Sequence, residues 1–151
     1  MSLTSLSLKG RALRYLAARE HSRVELERKL QPFEEGPGDL ALVLDELQAK
    51  GFINEQRVVE SVVHRRASRL GASRIRHELQ GKGLDAHTVQ QAVAQLQVTE
   101  LERAREVWRK KFGEPATDAG SRAKQMRFLA SRGFGAEAIH KVVSGADDES
   151  Y

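Results

Sequence analysis

The residues of this 151-residue chain best suited to chemistry are its histidines, serines and clustered cations, and each group tests a different function. The histidines are His21, His64, His77, His87 and His140. Glu60 and His64 stand one helical turn apart, but a zinc or iron site needs three or four converging ligands and no second close pair accompanies them. His21, His77, His87 and His140 read as solvated helix residues, and the absence of Cys removes thiolate ligands and disulfides. Gly81-Lys82-Gly83 lacks the longer glycine loop, the preceding strand and the Ser or Thr of a phosphate loop. The serines fall at caps and surfaces instead of on a strand-to-helix elbow, so nothing argues for nucleophilic catalysis. No cofactor is implied.

The cations remain. The chain carries a formal charge of +4 and a pI near 9.6, and the charge is unevenly placed. From Met1 to Lys50 eight basic residues balance eight acidic ones. Between His64 and Lys82 stand Arg65, Arg66, Arg69, Arg74, Arg76 and Lys82, opposed only by Glu78. A second cluster holds Arg103, Arg105, Arg109, Lys110, Lys111, Arg122, Lys124, Arg127 and Arg132 against Glu106, Glu114 and Asp118. A run of charges on a helix is ordinarily a solvated face laced by i, i+4 pairs, but here the acids that would make those pairs are largely missing. Arg65 and Arg69, four apart on one expected helix, and Arg74 and Arg76 on the next would bring guanidinium groups to one edge. Such an edge suits phosphates or an acidic protein groove. With few aromatics, none interleaved through the arginines, contacts to DNA would be to backbone phosphates and not by base stacking.

The elements that must position these cations repeat. Ser73 to Leu96 reads as two short helices joined at Gly83, a residue placed for a left-handed helix end, with Asp85 as the next N-cap. Val89, Ala92, Val93 and Leu96 form a stripe at i, i+3, i+4 and i+7 that needs a partner face. A shift of 49 residues toward the N-terminus lands on Leu40, Val43, Leu44 and Leu47, and one of 50 toward the C-terminus on Ile139, Val142 and Val143, with Gly133 and Phe134 in the places of Gly83 and Leu84. This is a threefold repeat, with its apolar residues spread over several small cores.

Taken in order, the chain predicts a helix from about Ser7 to Arg19 with Leu13, Leu16 and Ala17 inward, then a capping box of Ser22 and Glu25 opening a helix that Pro32 stops. A helix from about Asp39 to Lys50 follows. Asn54 caps a long helix to about Arg69, with Val59, Val62, Val63, Ala67 and Leu70 on its inner face. Thr99 and Glu102 read as another capping box, opening a helix through a core Trp108 to Gly113. The last pair spans about Ser121 to Arg132 and Ala136 to Val143. No segment alternates like a strand. The fold expected is all-α, an elongated, curved array of three tandem three-helix repeats over 1–51, 52–98 and 99–144, with an acidic disordered tail at 145–151. No apolar run approaches the ~18 residues of a membrane span, so a soluble cytoplasmic monomer is expected.

Four stretches also resemble the RecX family of bacterial regulatory proteins: ALRYLAAREHSRVELERKL (Ala12 to Leu30), LDELQAKGFINEQR (Leu44 to Arg57), RLGASRIRHELQGKGLD (Arg69 to Asp85), and WRKKFG with RFLASRGF (Trp108 to Gly113, Arg127 to Phe134). The resemblance implies a curved string of three-helix repeats. It also implies a non-enzymatic partner of the RecA filament, bound in its helical groove and restraining ATPase, strand exchange and co-protease activity, with consequences for recombination, repair and the SOS response. Filament or DNA contact would then fall to Arg65, Arg66, Arg69, Arg74, Arg76 and Lys82 in the middle repeat and to Arg109, Lys110, Lys111, Arg122, Lys124, Arg127 and Arg132 in the third. Two features depart from the family pattern. Gln31-Pro32-Phe33 and a Gly36-Pro37-Gly38 loop replace the usual Lys-Gly-Phe turn, and Val58 stands where an aromatic often follows Arg57. The alternative is a direct DNA-binding helix-turn-helix, whose reading helix at Ala86 to Leu96 would offer His87, Gln90 and Gln91 but little positive charge.

Overall fold

The computed structural model describes residues 6–145, whose regular structure is all helical, with no strand among them. The first five residues and the acidic Asp147-Asp148-Glu149 lie outside the described residues. In chain order the helices are α1 (Leu8–Ala18), α2 (Arg23–Leu30), α3 (Asp39–Ala49), α4 (Glu55–Arg66), α5 (Ala72–Gly81), α6 (Ala86–Val98), α7 (Glu100–Lys111), α8 (Ala119–Ser131) and α9 (Ala136–Ser144). Each successive trio closes on its own core.

Ala12, Leu26, Leu30, Leu44 and Leu47 are wholly buried in the first core. Val58, Val62, Ile75 and Leu79 are buried in the second, and Ala104 and Leu129 in the third. At about 25 cal/mol per Å² of buried apolar surface, each such leucine contributes roughly 2 kcal/mol, and the three helices of a trio share that burial. The inner faces differ from the expected ones at two places. Ala12, not the exposed Ala17, is the buried alanine of α1. The departure at Val58 is a core residue, 1% exposed.

Local signals set the helix ends. Ser22 and Glu25 form the reciprocal capping box. Pro32 ends α2 by turning Gln31–Phe33 into a short 3-10 turn. Asn54, Asp85 and Asp118 each cap a following helix through the side chain. Helix α4 ends at Arg66, three residues before the expected end, and Arg69 lies in the turn that follows. Thr99 is no capping box. Helices α6 and α7 meet at this one residue, and its hydroxyl turns back to donate to the Leu96 carbonyl and to accept from Arg103 Nε.

The repeats join through one junction used twice. At the first, the end of α5 lies on the start of α2: Ser22 Oγ donates to the Lys82 carbonyl at 2.6 Å, Arg28 reaches the Gly81 carbonyl, and Gly83 sits against Val24. At the second, the end of α8 lies on the start of α5: Gly71 N–H donates to the Arg132 carbonyl at 2.8 Å, Ser73 N–H to that of Gly133, and Gly133 sits against Arg74. Ser22 with Lys82 and Gly71 with Arg132 are related by the 49- and 50-residue shifts of the sequence repeat. Gly83 and Gly133 have φ of 70° and 91°, which ends each helix in the left-handed turn and leaves room for the neighbouring repeat.

Candidate functional site

The thirteen cations singled out by charge separate into three environments. Arg66, Arg74 and Lys82 are structural in part. Arg66 Nε pairs with Glu78 at 3.1 Å and ties α4 to α5. Arg74 donates to the Ser131 carbonyl at 2.7 Å across the second junction. Lys82 pairs with Glu25 at 3.2 Å across the first, with only 13% of its side chain exposed. Burial pushes the Glu25 carboxyl up, but the bonds from Arg19, the Ser22 N–H and Lys82 outweigh it and hold it at about 2.

Two cations are neutralised within their own helix: Arg109 and Lys110 both face Glu106, whose carboxyl the Arg109 guanidinium holds below its usual range.

The rest are open. Arg65, Arg69, Arg76, Arg122, Lys124 and Arg127 are exposed and form no ion pair among the described residues. Lys111 and Arg132 converge on the Phe128 ring, with Nζ 5.3 Å and Cζ 4.8 Å from its centroid, while Phe112 meets that ring edge-on at 5.5 Å. Because Gly71 bonds to Arg132, the second junction brings the chain around Arg69 and Arg74 beside the chain around Arg132. The two clusters, 50 residues apart in sequence, thus meet at that junction. Lys82 stands apart, at the other end of α5.

Sequence reasoning missed the residues that hold this junction. Glu100, in the first turn of α7, accepts Ala72 N–H at 2.9 Å on one oxygen and Gly135 N–H at 3.0 Å on the other. Gly71 and Gly135 provide no side-chain cap for α5 and α9, so one carboxylate from α7 serves two helix N-termini. Arg103 donates to the carbonyls of Ala67, Leu70 and Leu96 and pairs with Glu100 at 3.3 Å. Burial lowers the Arg103 pKa and Glu100 opposes that shift. His21 is also not solvated: at 2% exposure, its Nε2 accepts from Lys29 at 2.9 Å and its Nδ1 donates to the Arg19 carbonyl at 3.1 Å. Lys29 lies over the half-buried Tyr15 ring. Trp108 is half-buried against the third core and donates to Gln125 at 2.9 Å.

Among the described residues no three His, Asp or Glu side chains converge as metal ligands, and no helix is long and apolar enough to cross a membrane.

Comparison with known proteins identifies the repeats. Residues 54–93 match the family model for the second three-helix domain of RecX, and residues 99–143 the model for its third. The chain belongs to the RecX family. A protein of Leptothrix cholodnii named regulatory protein RecX is 57% identical over 144 residues, covering 95% of this chain and 92% of the relative. The regulatory protein RecX of Ralstonia pickettii is 46% identical over 143 residues, covering 95% and 90%. The crystal structure of RecX from Lactobacillus salivarius superposes with a TM-score of 0.76 over 93% of this chain and 94% of that one, at 20% identity, and so shares the fold. Both of these relatives are regulatory proteins by name.

Proposed function

We propose that this chain is a non-enzymatic regulator that binds in the groove of the RecA filament on DNA and inhibits RecA ATPase, strand exchange and co-protease activity. Family membership supports a regulatory role. The observation that carries the reading is the cation surface of the second and third repeats, where Arg65, Arg69, Arg76, Arg122, Lys124 and Arg127 stand exposed without acid partners on two repeats locked together at Gly71 and Arg132. A desolvated groove of acidic side chains or phosphates would supply the counter-charge that the chain itself withholds. The tandem architecture fits a target that is itself periodic, since a linear array presents cations along a line.

Contact by Arg66, Arg74 and Lys82 would compete with the bonds those side chains already make, so the six open cations form the primary set, with Lys111 and Arg132 beside them. The test is DNA-dependent ATPase of RecA on single-stranded DNA with this protein titrated in. Inhibition near stoichiometry supports the reading, and undiminished ATPase at stoichiometric protein refutes it. Binding to naked duplex DNA with strong sequence preference and a steep salt dependence, in the absence of RecA, would favour the direct DNA-binding alternative instead.

A further inference from the structure

Helix α6 differs from the rest of the chain in chemistry. From Ala86 to Thr99 there is no Asp, Glu, Lys or Arg, in a protein of which 30% of residues are charged. Its outer face is nonetheless solvent-exposed at His87, Gln90, Gln91, Ala94, Gln95 and Val98, and Val98 is 84% exposed. Beside this neutral ridge runs a groove of about 790 Å³ between α4 and α6, closed at one end by Thr99 and Arg103. Val59, Val63, Ala92 and Leu96 contribute its apolar lining, while Glu60, His64, Gln91 and Gln95 supply polar walls.

The repeat explains why the groove is here. Counting from the helix N-caps Ser7, Asn54 and Thr99, Val63 takes the position of Leu16 and Trp108. By the 49- and 50-residue shifts, Ala92 takes the position of Val43 and Val142. At both places the middle repeat has a residue smaller than its counterparts, so its lining lies low. Along α4 the groove runs from Gln56 to Ala67, ~17 Å at 1.5 Å per residue, which is three turns of a helix.

We propose that this groove receives an amphipathic α-helix of a protein partner, with the neutral ridge of α6 as one wall. The absence of charge argues the class of partner. Phosphates would find no cation on α6, whereas the centres of protein interfaces are depleted in charged residues, and the glutamine amides of this wall can both donate to and accept from a partner. The entering helix carries two or three apolar anchors at i, i+3 or i+4, and i+7, with neutral polar flanks and a basic residue where it passes Glu60. Resting on the function proposed above, the helix belongs to a protein subunit of the filament, and the open arginines and the α6 groove are two separate contacts, one ionic and one apolar.

The double variant Gln91→Arg with Gln95→Arg tests this, because both positions are exposed and both changes would strengthen, not weaken, any contact with phosphates. Three readouts are needed: inhibition of RecA ATPase on poly(dT), anisotropy of a labelled poly(dT) oligonucleotide without RecA, and the mass in solution by sedimentation, with thermal unfolding to check the fold. The expected result is a tenfold or greater rise in the half-inhibitory concentration, with oligonucleotide binding equal or tighter and the melting transition unmoved. A variant that inhibits as well as the parent overturns the proposal. So does a parent that is a dimer and becomes a monomer on substitution, since the occupant is then a second copy. If the parent itself does not inhibit, the function proposed above falls and this contact with it; an inhibiting parent with an equally inhibiting variant removes this contact alone.

Discussion

Gly71 and Gly133 lie back to back where the second repeat meets the third: a Cβ on Gly71 would fall 2.4 Å from both the carbonyl carbon and the carbonyl oxygen of Gly133. The obstacle is backbone and has no rotamer through which to yield. Because Gly71 also donates to Arg132, separating the two strands of chain to admit a methyl would break that bond as well.

Gly71→Ala is therefore expected to destabilise the protein by roughly 2–4 kcal/mol through overpacking and a lost junction bond. Gly81→Ala is the control: Gly81 is helical and a Cβ there meets nothing within 4 Å. That change is expected to stabilise by about 0.5–1 kcal/mol through helix propensity and reduced unfolded-state entropy. Urea unfolding of the two variants should move the midpoint in opposite directions.

Arg103→Met preserves volume and removes the donors that serve the Ala67, Leu70 and Leu96 carbonyls, leaving Glu100 with less compensation. A loss of roughly 2–4 kcal/mol is expected. Arg76→Met, an exposed arginine of α5 outside every ion pair described above, provides the comparison for charge alone. Equal unfolding midpoints for the two variants would show that Arg103 is not a junction residue.

Stability should fall with acid in two stages, one set by His21 and one by Glu25. Burial first, aided by the charges of Arg19 and Lys29, lowers the His21 pKa below its usual 6.5, against the pull of the Arg19 carbonyl and Glu25. The unfolded chain then takes up the proton more readily, so stability begins to fall as the pH drops below about 6.5 and stops falling below the folded pKa. Glu25, held at about 2 against an ordinary 4.5, contributes stability that is complete above 4.5 and is lost as the pH falls through that range toward 2, by up to roughly 3 kcal/mol. Unfolding measured from pH 7 to 3 should show His21→Gln flattening the upper stage and Glu25→Gln the lower.

Charge reversal separates the open cations from the structural ones. Arg65→Glu, Arg69→Glu and Arg76→Glu together should leave the melting temperature within about 2 °C, since surface changes away from specific contacts cost little, while abolishing inhibition of RecA ATPase. Lys82→Glu, facing Glu25 across the first junction, should lower stability by roughly 1–3 kcal/mol. A triple variant that still inhibits fully would remove the cation surface from the mechanism.

Much of the helical scaffold was legible because its signals are local. Ser22 and Glu25 lie three residues apart, Pro32 acts on its own turn, and the apolar stripes of α5 and α6 repeat within one helix. The residues misread are those whose partners lie far along the chain. Nothing near Lys82 announces Glu25, 57 residues away, and nothing near Glu100 announces Gly135, 35 residues on. The Thr99 motif failed for a related reason: the spacing to Glu102 is right, but Arg103 binds carbonyls at Ala67 and Leu70 and occupies the hydroxyl that would have capped. Charge patterning found the cations as a set, and only the fold divides them into those that hold repeats together and those left over.

The Pro-containing turn of the first repeat, the clearest break in the pattern, follows from how the junctions are built. In both, the glycine turn belongs to the later repeat and the surface it enters to the earlier one, so the demand for a glycine turn falls on Gly83 and Gly133, joined at the second junction by Gly71 on the receiving surface, and on no residue of the opening repeat. The contacts of Gln31–Phe33 lie within its own repeat, with Arg11 over the Phe33 ring, so this turn was free of that constraint and could accept a proline. The array has a direction: each later repeat inserts its own glycine turn into the one before it, so the constraint is handed forward along the chain.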